Sequence, residues 1–331
     1  MMALLPTIAT LCVSAGTRTL PPHARCSPAR LCELESPRRE MAKLHERFAS
    51  TANAGAGGSR ESHNQRQAAV FTDAAGFFAS EEATPAEVAP KLKIIARAVA
   101  DQCPRDRRPR VLDVGTGTGA LLPFYADCGL SPADVTGVDL CAAMLAHARS
   151  KHPDATFLES DIVDVPLPAC AEDAYDVVVF NAVFGNLYDQ QAALGHAAAL
   201  LRPGGSVLLS HPFGASFVDE LRTSDPTVVP HALPTEPWLR SALLGPAAPL
   251  RLVSFADGSA GGDSSEGAEG EGGATDAARG VYLALLVKST TVRPLPTGLG
   301  GGLPALQGEV ATGFGRRAYP PRTCTCTRTC T

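Results

Sequence analysis

A chain of 331 residues with 45% apolar content is long enough to bury a full core and allows one or two domains. Its 29 basic and 34 acidic side chains leave a net charge of −5, which gives no electrostatic footprint for nucleic acid. No apolar run approaches the roughly 18 to 20 residues that span a bilayer, so no integral membrane segment is expected.

Residues 1–60 read as a leader and a linker rather than a fold. "MMALLPTIATLCVSAG" is apolar and hydroxyl-rich, "TRTLPPHARCSPARLC" adds proline and arginine, and no acid precedes Glu33. Together they have the form of a two-part plastid leader, with a signal-like cleavage point near Val13 to Ala15. A mitochondrial destination, or a merely disordered start of a cytoplasmic protein, is the alternative. "STANAGAGGSRESHNQRQ" follows as a flexible linker of small and polar residues. "NQRQAAVFTDAAGFFASEEATP" carries Phe71, Phe77 and Phe78 at helical spacing, which suits either a lid or core packing.

The central region alternates helix-like and strand-like runs, the signature of an α/β sheet with parallel strands. "EVAPKLKIIARAVADQ" is an amphipathic helix with Leu92, Ile94, Ile95 and Val99 on one side. "RVLDVG" is a buried strand, and "TGALLPFYADCG" a helix with Pro123 near its first turn and Gly129 at its end. "DVTGVDL" and "ATFLESDI" are strands two and three, with "CAAMLAHARSKHP" as the helix between them. "AYDVVVFNAV" is a fourth strand, β-branched at its centre as suits burial on both faces. "QQAALGHAAALLRPGG" reads as a helix ended by Pro203 and two glycines, and "SVLLSHPF" as the fifth strand. "FVDELRTSDPTVVPHALPTEPWLRSALLG" holds one short helix and a Pro-rich loop. "LRLVSFAD" and "VYLALLVK" make seven strands, separated by an acidic insert over 257–279 with nothing to bury. Residues 291–331 form a low-complexity, disordered tail ending in "TCTCTRTCT".

Ten cysteines include no C-x-x-C pair, so no metal site is expected. Cys103, Cys128, Cys141 and Cys170 are expected as free thiols in the core.

The chemistry centres on "VLDVGTGTG". Gly115, Gly117 and Gly119 fit G-x-G-x-G, while Gly115, Gly117 and Ala120 also fit the dinucleotide pattern. A glycine turn between strand and helix lets a ligand approach the backbone closely. Asp113 sits two residues before the first glycine, where a carboxylate repels a pyrophosphate and suits a ligand bearing an ammonium group. The ligand that combines an ammonium, a sulfonium and a ribose is S-adenosylmethionine.

From that point the chain resembles the class I S-adenosylmethionine-dependent methyltransferases, in their small-molecule, type 11-like branch. "VLDVGTGTG", "VTGVDLCAAMLAHAR", "LESDIVDVPLP", "DAYDVVVFNAVFGNL" and "LRPGGSVLLSHPF" match that family's segments in order. The resemblance implies a Rossmann-like, doubly wound seven-stranded sheet, mostly parallel with an antiparallel last strand, over residues 61–290. It implies S-adenosylmethionine as cofactor. Gly115, Gly117 and Gly119 would line its methionine part, with Asp113 at the ammonium. Asp139 would accept the ribose hydroxyls, with Leu140 and Met144 near adenine or ribose. Asp161 would take the adenine amino group and Ile162 would pack on the ring. Asn181 and Ala182 would face the methionine moiety and the methyl. Local roles compete with these: Asp139 as a helix N-cap, Asp161 as a loop acid, Met144 as core.

Methyl transfer needs alignment, and a base only where the nucleophile must lose a proton. His211 in "LSHPFG" is the candidate base, against a structural role bonded to backbone; His231 in "VPHALP" is a second candidate. Trp238, the only tryptophan, is expected in core packing or on a lid. "FNAVFG" departs from the N/D-P-P-Y/F of amino-methylating enzymes, so the expected partner is a small-molecule acceptor, such as a quinone, phenolic or lipid-like precursor. A cofactor-binding regulatory protein without catalysis, or a nicotinamide oxidoreductase, is the rival function.

Overall fold

The computed structural model of the protein describes residues 58–80, 83–84, 86–242, 250–258 and 280–289. The leader, the acidic stretch 259–279 and the tail lie outside the described residues.

Four buried residues form β1 (Val111–Val114), an interior strand of a seven-stranded sheet of order β3-β2-β1-β4-β5-β7-β6. β2 (Val135–Asp139) and β4 (Tyr175–Asn181) flank β1 in parallel, and β3 (Thr156–Glu159) runs parallel on β2. β5 (Leu201–His211) runs parallel to β4, whereas β7 (Tyr282–Lys288) inserts antiparallel between β5 and β6 (Leu250–Ala256). This is the α/β, mostly parallel, Rossmann-like sheet implied by the sequence.

Alternating residues of β4 explain why its centre, Val177–Phe180, is apolar. Val178 and Phe180 pack with Leu194, Ala197 and Ala198 of α5 (Gln190–Leu200) on one face. Val177 and Val179 pack on the other with Leu92, Ile95 and Val99 of α2 (Ala89–Ala100), Leu122 and Tyr125 of α3 (Leu122–Asp127), and Leu145 of α4 (Ala142–Lys151). Burial on both faces is what a continuous β-branched run encodes. Strand order reverses between β1 and β4, and a crevice opens there at the carboxyl ends of the strands.

Several elements depart from the sequence expectation. α1 (Arg60–Phe78) begins inside the expected linker, with Ser59 as N-cap accepting the Ser62 N–H at 3.3 Å. α5 stops at Leu200, and β5 already starts at Leu201, which pairs with Tyr175 before the register shifts to Val177–Ser206. The expected helix end "LRPGG" is therefore an irregular strand start, where the ladder absorbs Pro203 and Gly204. Two helices, α6 (Gly214–Ser224) and α7 (Glu236–Ala242), occupy the segment expected to hold one. Cys141 is buried, but Cys170 is exposed, because it follows the short turn after β3 and never reaches the core.

Candidate functional site

The carboxyl ends of β1, β2, β4 and β5 surround a cavity of about 570 Å³, roofed by α1. Its floor is the turn after β1. Gly115, Gly117 and Gly119 adopt φ of 67°, 55° and 79°, in the left-handed region that L side chains avoid. Position 115 is also closed sterically: a Cβ there would lie 2.4 Å from Val183 Cγ2 and 2.6 Å from Val183 Cβ.

Four amides of this turn are spent within the protein. Gly115 N–H and Thr116 N–H both donate to the Val138 carbonyl, at 2.7 and 3.1 Å. Gly119 N–H donates to the Thr116 carbonyl at 2.9 Å, and Gly117 N–H to Asp139 Oδ2 at 2.9 Å. An anion-binding loop would aim such donors at its ligand. Here they brace β1, the turn and β2 against one another.

The turn presents acid instead. Asp113 ends 2% exposed and accepts the Thr116 hydroxyl at 2.9 Å. Burial pushes its pKa up to about 7, with Asp139 adding to the rise and the Thr116 hydrogen bond opposing it. Asp139 closes β2, where Oδ1 accepts the Cys141 N–H at 2.9 Å and Oδ2 the Gly117 N–H. Burial raises its pKa too, against the backbone donors that favour its charge. Each oxygen keeps a second lone pair, so a rigid bidentate acceptor faces the cavity. Asp139 does not cap the helix that follows, whose N-cap is Cys141 with no side-chain cap bond; the Cys141 N–H instead fixes the Asp139 carboxylate.

The other residues singled out in the sequence are placed as follows. Leu140, Met144, Asp161, Ile162, Asn181 and Ala182 all line the cavity. Gly119 does not, because its α-carbon faces inward and a Cβ there would meet His152 at 2.7 Å. Asp161 accepts Asn64 Nδ2 at 2.8 Å and Arg60 Nη1 at 3.3 Å through Oδ2, and the Val163 N–H at 3.2 Å through Oδ1. It therefore pins α1 as well as bordering the cavity. Asn181 Oδ1 accepts the Ser210 hydroxyl at 3.1 Å, which leaves its amide nitrogen for another partner. Ala182 has φ of 54°, strain on the order of 1 kcal/mol held in place by its N–H to the Ser210 carbonyl at 2.9 Å.

His211 lines the cavity and is 6% exposed. Its Nδ1 accepts the Phe213 N–H at 3.1 Å, so the hydrogen of the neutral ring sits on Nε2. That tautomer donates through Nε2, and its Nδ1 lone pair is already taken. His231 is not a lining residue, and its Nε2 donates to the Tyr188 carbonyl at 3.2 Å. Trp238 packs partly buried against the core.

Sequence reasoning missed the polar underside of α1. His63, Asn64 and Gln67 line the cavity from this helix, beside Phe71, Phe77 and Phe78, the rings singled out for a lid or core packing. The helix is tied down at both ends and its middle: Arg60 to Asp161 and Asp164, Gln67 to the Val228 carbonyl, and the Phe78 carbonyl to the Thr118 hydroxyl. The signal lay in the spacing of 63, 67, 71 and 78, near multiples of one helical turn, following a Ser N-cap.

A family model described as "Methyltransferase domain" matches residues 38–242, well over half of the chain. The chain belongs to that methyltransferase domain family, and its fold is that of the class I S-adenosylmethionine-dependent enzymes. Among curated relatives, the demethylmenaquinone methyltransferase of Renibacterium salmoninarum is 33% identical over 106 residues, which is 31% of this chain and 42% of the relative. The malonyl-[acyl-carrier protein] O-methyltransferase of Enterobacter lignolyticus is 35% identical over 127 residues, 38% of this chain and 48% of the relative. The chain thus spans less than half the length of these curated relatives. Of the solved structures, magnesium protoporphyrin IX methyltransferase from Synechocystis is similar over 71% of this chain and 100% of its own, at 18% identity and a TM-score of 0.45.

Proposed function

We propose that the protein is an S-adenosylmethionine-dependent methyltransferase acting on a small-molecule acceptor. The observation that carries this reading is the buried Asp113 before a glycine turn in which the Gly115, Thr116, Gly117 and Gly119 amides are already spent. A pyrophosphate would find few donors there and a carboxylate beside it. An ammonium group would find its counter-charge, and Asp139 would take the ribose hydroxyls.

When bound, the cofactor supplies an electrophilic methyl on a sulfonium, so the chemistry is already activated and the protein's task is placement. Asp113 orients the methionine end. Asp139, braced by two backbone donors, holds the ribose at one depth. Asp161 and Ile162 border the adenine end, and Asn181 and Ala182 the end where the methyl would lie. α1 covers the cavity and keeps water out, so that an acceptor held against the methyl meets no competing nucleophile. The names of the matched relatives, a demethylmenaquinone and a malonyl-[acyl-carrier protein] methyltransferase, support an acceptor of quinone or acyl type.

Incubation of the full-length protein with methyl-tritiated S-adenosylmethionine and a chloroplast extract should yield labelled organic-soluble product. Tight cofactor binding without label in any fraction would instead favour a regulatory binding protein.

A further inference from the structure

Two polar side chains beneath α1 line the cavity yet play no part in seating the cofactor as proposed. His63 and Gln67 lie four residues apart on the same helix face and are 5% and 4% exposed. Gln67 Nε2 donates to the Val228 carbonyl at 2.7 Å. A carbonyl only accepts, so this bond sets the amide orientation and leaves Oε1 buried with no hydrogen-bond partner. A buried acceptor left bare is costly.

His63 follows the same logic. Its Nε2 lies 2.8 Å from the Asn186 carbonyl, so the hydrogen sits on Nε2 and the neutral ring keeps its lone pair on Nδ1. Burial lowers its pKa, Arg66 and His231 push the same way, and the Asn186 carbonyl and Asp161 oppose them. The Tyr188 ring packs at 5.7 Å. His63 is therefore neutral near pH 7 and poised to accept a proton. His211 is the same tautomer, but its Nδ1 lone pair is already taken by the Phe213 N–H.

His63 Nδ1 offers a lone pair, Gln67 Oε1 is a buried acceptor without a partner, and the nearby wall is apolar, made by Phe71, Leu187, Val218 and Val229. We propose that this is the acceptor subsite, that it selects an apolar molecule carrying a neutral O–H or N–H, and that His63 Nδ1 is the general base. The assignment rests on the methyltransferase reading above. In the step, a lone pair of the acceptor oxygen or nitrogen forms the new bond to the methyl carbon. The sulfonium–methyl bond breaks with its electron pair staying on sulfur, which becomes a neutral thioether. The acceptor's proton passes to His63 Nδ1 and then to solvent. A carboxylate or phosphate acceptor would bring no hydrogen to the His63 lone pair.

The test uses the full-length protein saturated with S-adenosylhomocysteine and two probes of nearly equal shape, 2-naphthol and 2-fluoronaphthalene, followed by naphthalene fluorescence. The naphthol is expected to bind at least about tenfold more tightly, as one hydrogen bond to a buried acceptor allows. Gln67→Leu should bring that preference below about threefold. Below pH 6.5 the preference should shrink as His63 takes a proton, and His63→Phe should make it independent of pH. Equal binding of the two probes, or a preference unchanged in Gln67→Leu, overturns the subsite. A pH dependence that persists in His63→Phe overturns the base. Failure of S-adenosylhomocysteine to bind the unmodified protein removes the methyltransferase reading itself, and is seen in the first titration before either probe is added.

Discussion

Asp113→Asn is expected to make the unliganded protein more stable and to abolish its hold on the cofactor. The carboxyl is fully buried, and its pKa stands at about 7 against an ordinary value of 3.8. The native state thus binds the proton more tightly than the unfolded chain. Stability contributed by this group is complete below about pH 4, falls as pH rises, and is gone above about pH 7. A shift of that size corresponds to on the order of 4 kcal/mol of penalty borne at pH 8. Asparagine carries no charge to desolvate, and its carbonyl oxygen can still accept the Thr116 hydroxyl. Thermal unfolding of the two proteins should therefore diverge between pH 4 and pH 7, with the variant increasingly more stable, and run parallel above pH 7. Cofactor affinity moves the other way. An ammonium requires the ionised acid, so the unmodified protein should bind S-adenosylmethionine about tenfold more tightly per pH unit up to about pH 7 and level off. The variant should lose at least about 100-fold, consistent with a desolvated charge pair, and show no such slope. A variant less stable at pH 8, or one that binds unchanged, contradicts the role given to Asp113.

Asp139→Ala is expected to cost at least about 100-fold in cofactor affinity, since two charge-assisted bonds to ribose hydroxyls are worth about 1.5 to 3 kcal/mol each. Its effect on stability should be smaller. Two opposing changes meet there: the Gly117 and Cys141 N–H groups lose their acceptors, while a buried carboxylate with a raised pKa is removed. Water entering the cavity can reach the freed amides. Calorimetric titration with S-adenosylhomocysteine, beside a denaturant melt, separates the two effects. An affinity within threefold of the parent would remove Asp139 from the ribose contact. The two variants also differ in what they discriminate. Asp139 would serve the ribose of any nucleotide, whereas Asp113 favours an ammonium over a pyrophosphate, so only Asp113→Asn separates the two classes of cofactor.

The parts of this architecture that were legible in the sequence are those whose residues answer to one demand. β1 and β4 are buried on both faces, and "VLDV" and "YDVVVFN" say so without ambiguity. Asp113 and Asp139 stand at strand ends beside glycines, where an acid has few purely structural uses. Less legible were residues that answer to two demands. The inner face of α1 carries His63 and Gln67 because it meets a cavity, not a core, and a polar inner face erases the apolar period by which a helix is recognised. "RESHNQRQ" therefore reads as linker although it is the roof of the site. β5 begins at Leu201 despite Pro203 and two glycines, because pairing with β4 outweighs local turn preference. The polarity of His211 depends on a backbone N–H two residues away, which only the folded geometry reveals.

The most direct measurement is a paired titration of the full-length protein at pH 8 with S-adenosylmethionine and with NAD. The buried acid before a turn that spends four of its amides internally predicts micromolar or tighter binding of S-adenosylmethionine, roughly 100-fold or more ahead of the dinucleotide. Equal or tighter binding of NAD would contradict the reading of the turn after β1 as a methionine seat, and with it the function proposed for the protein.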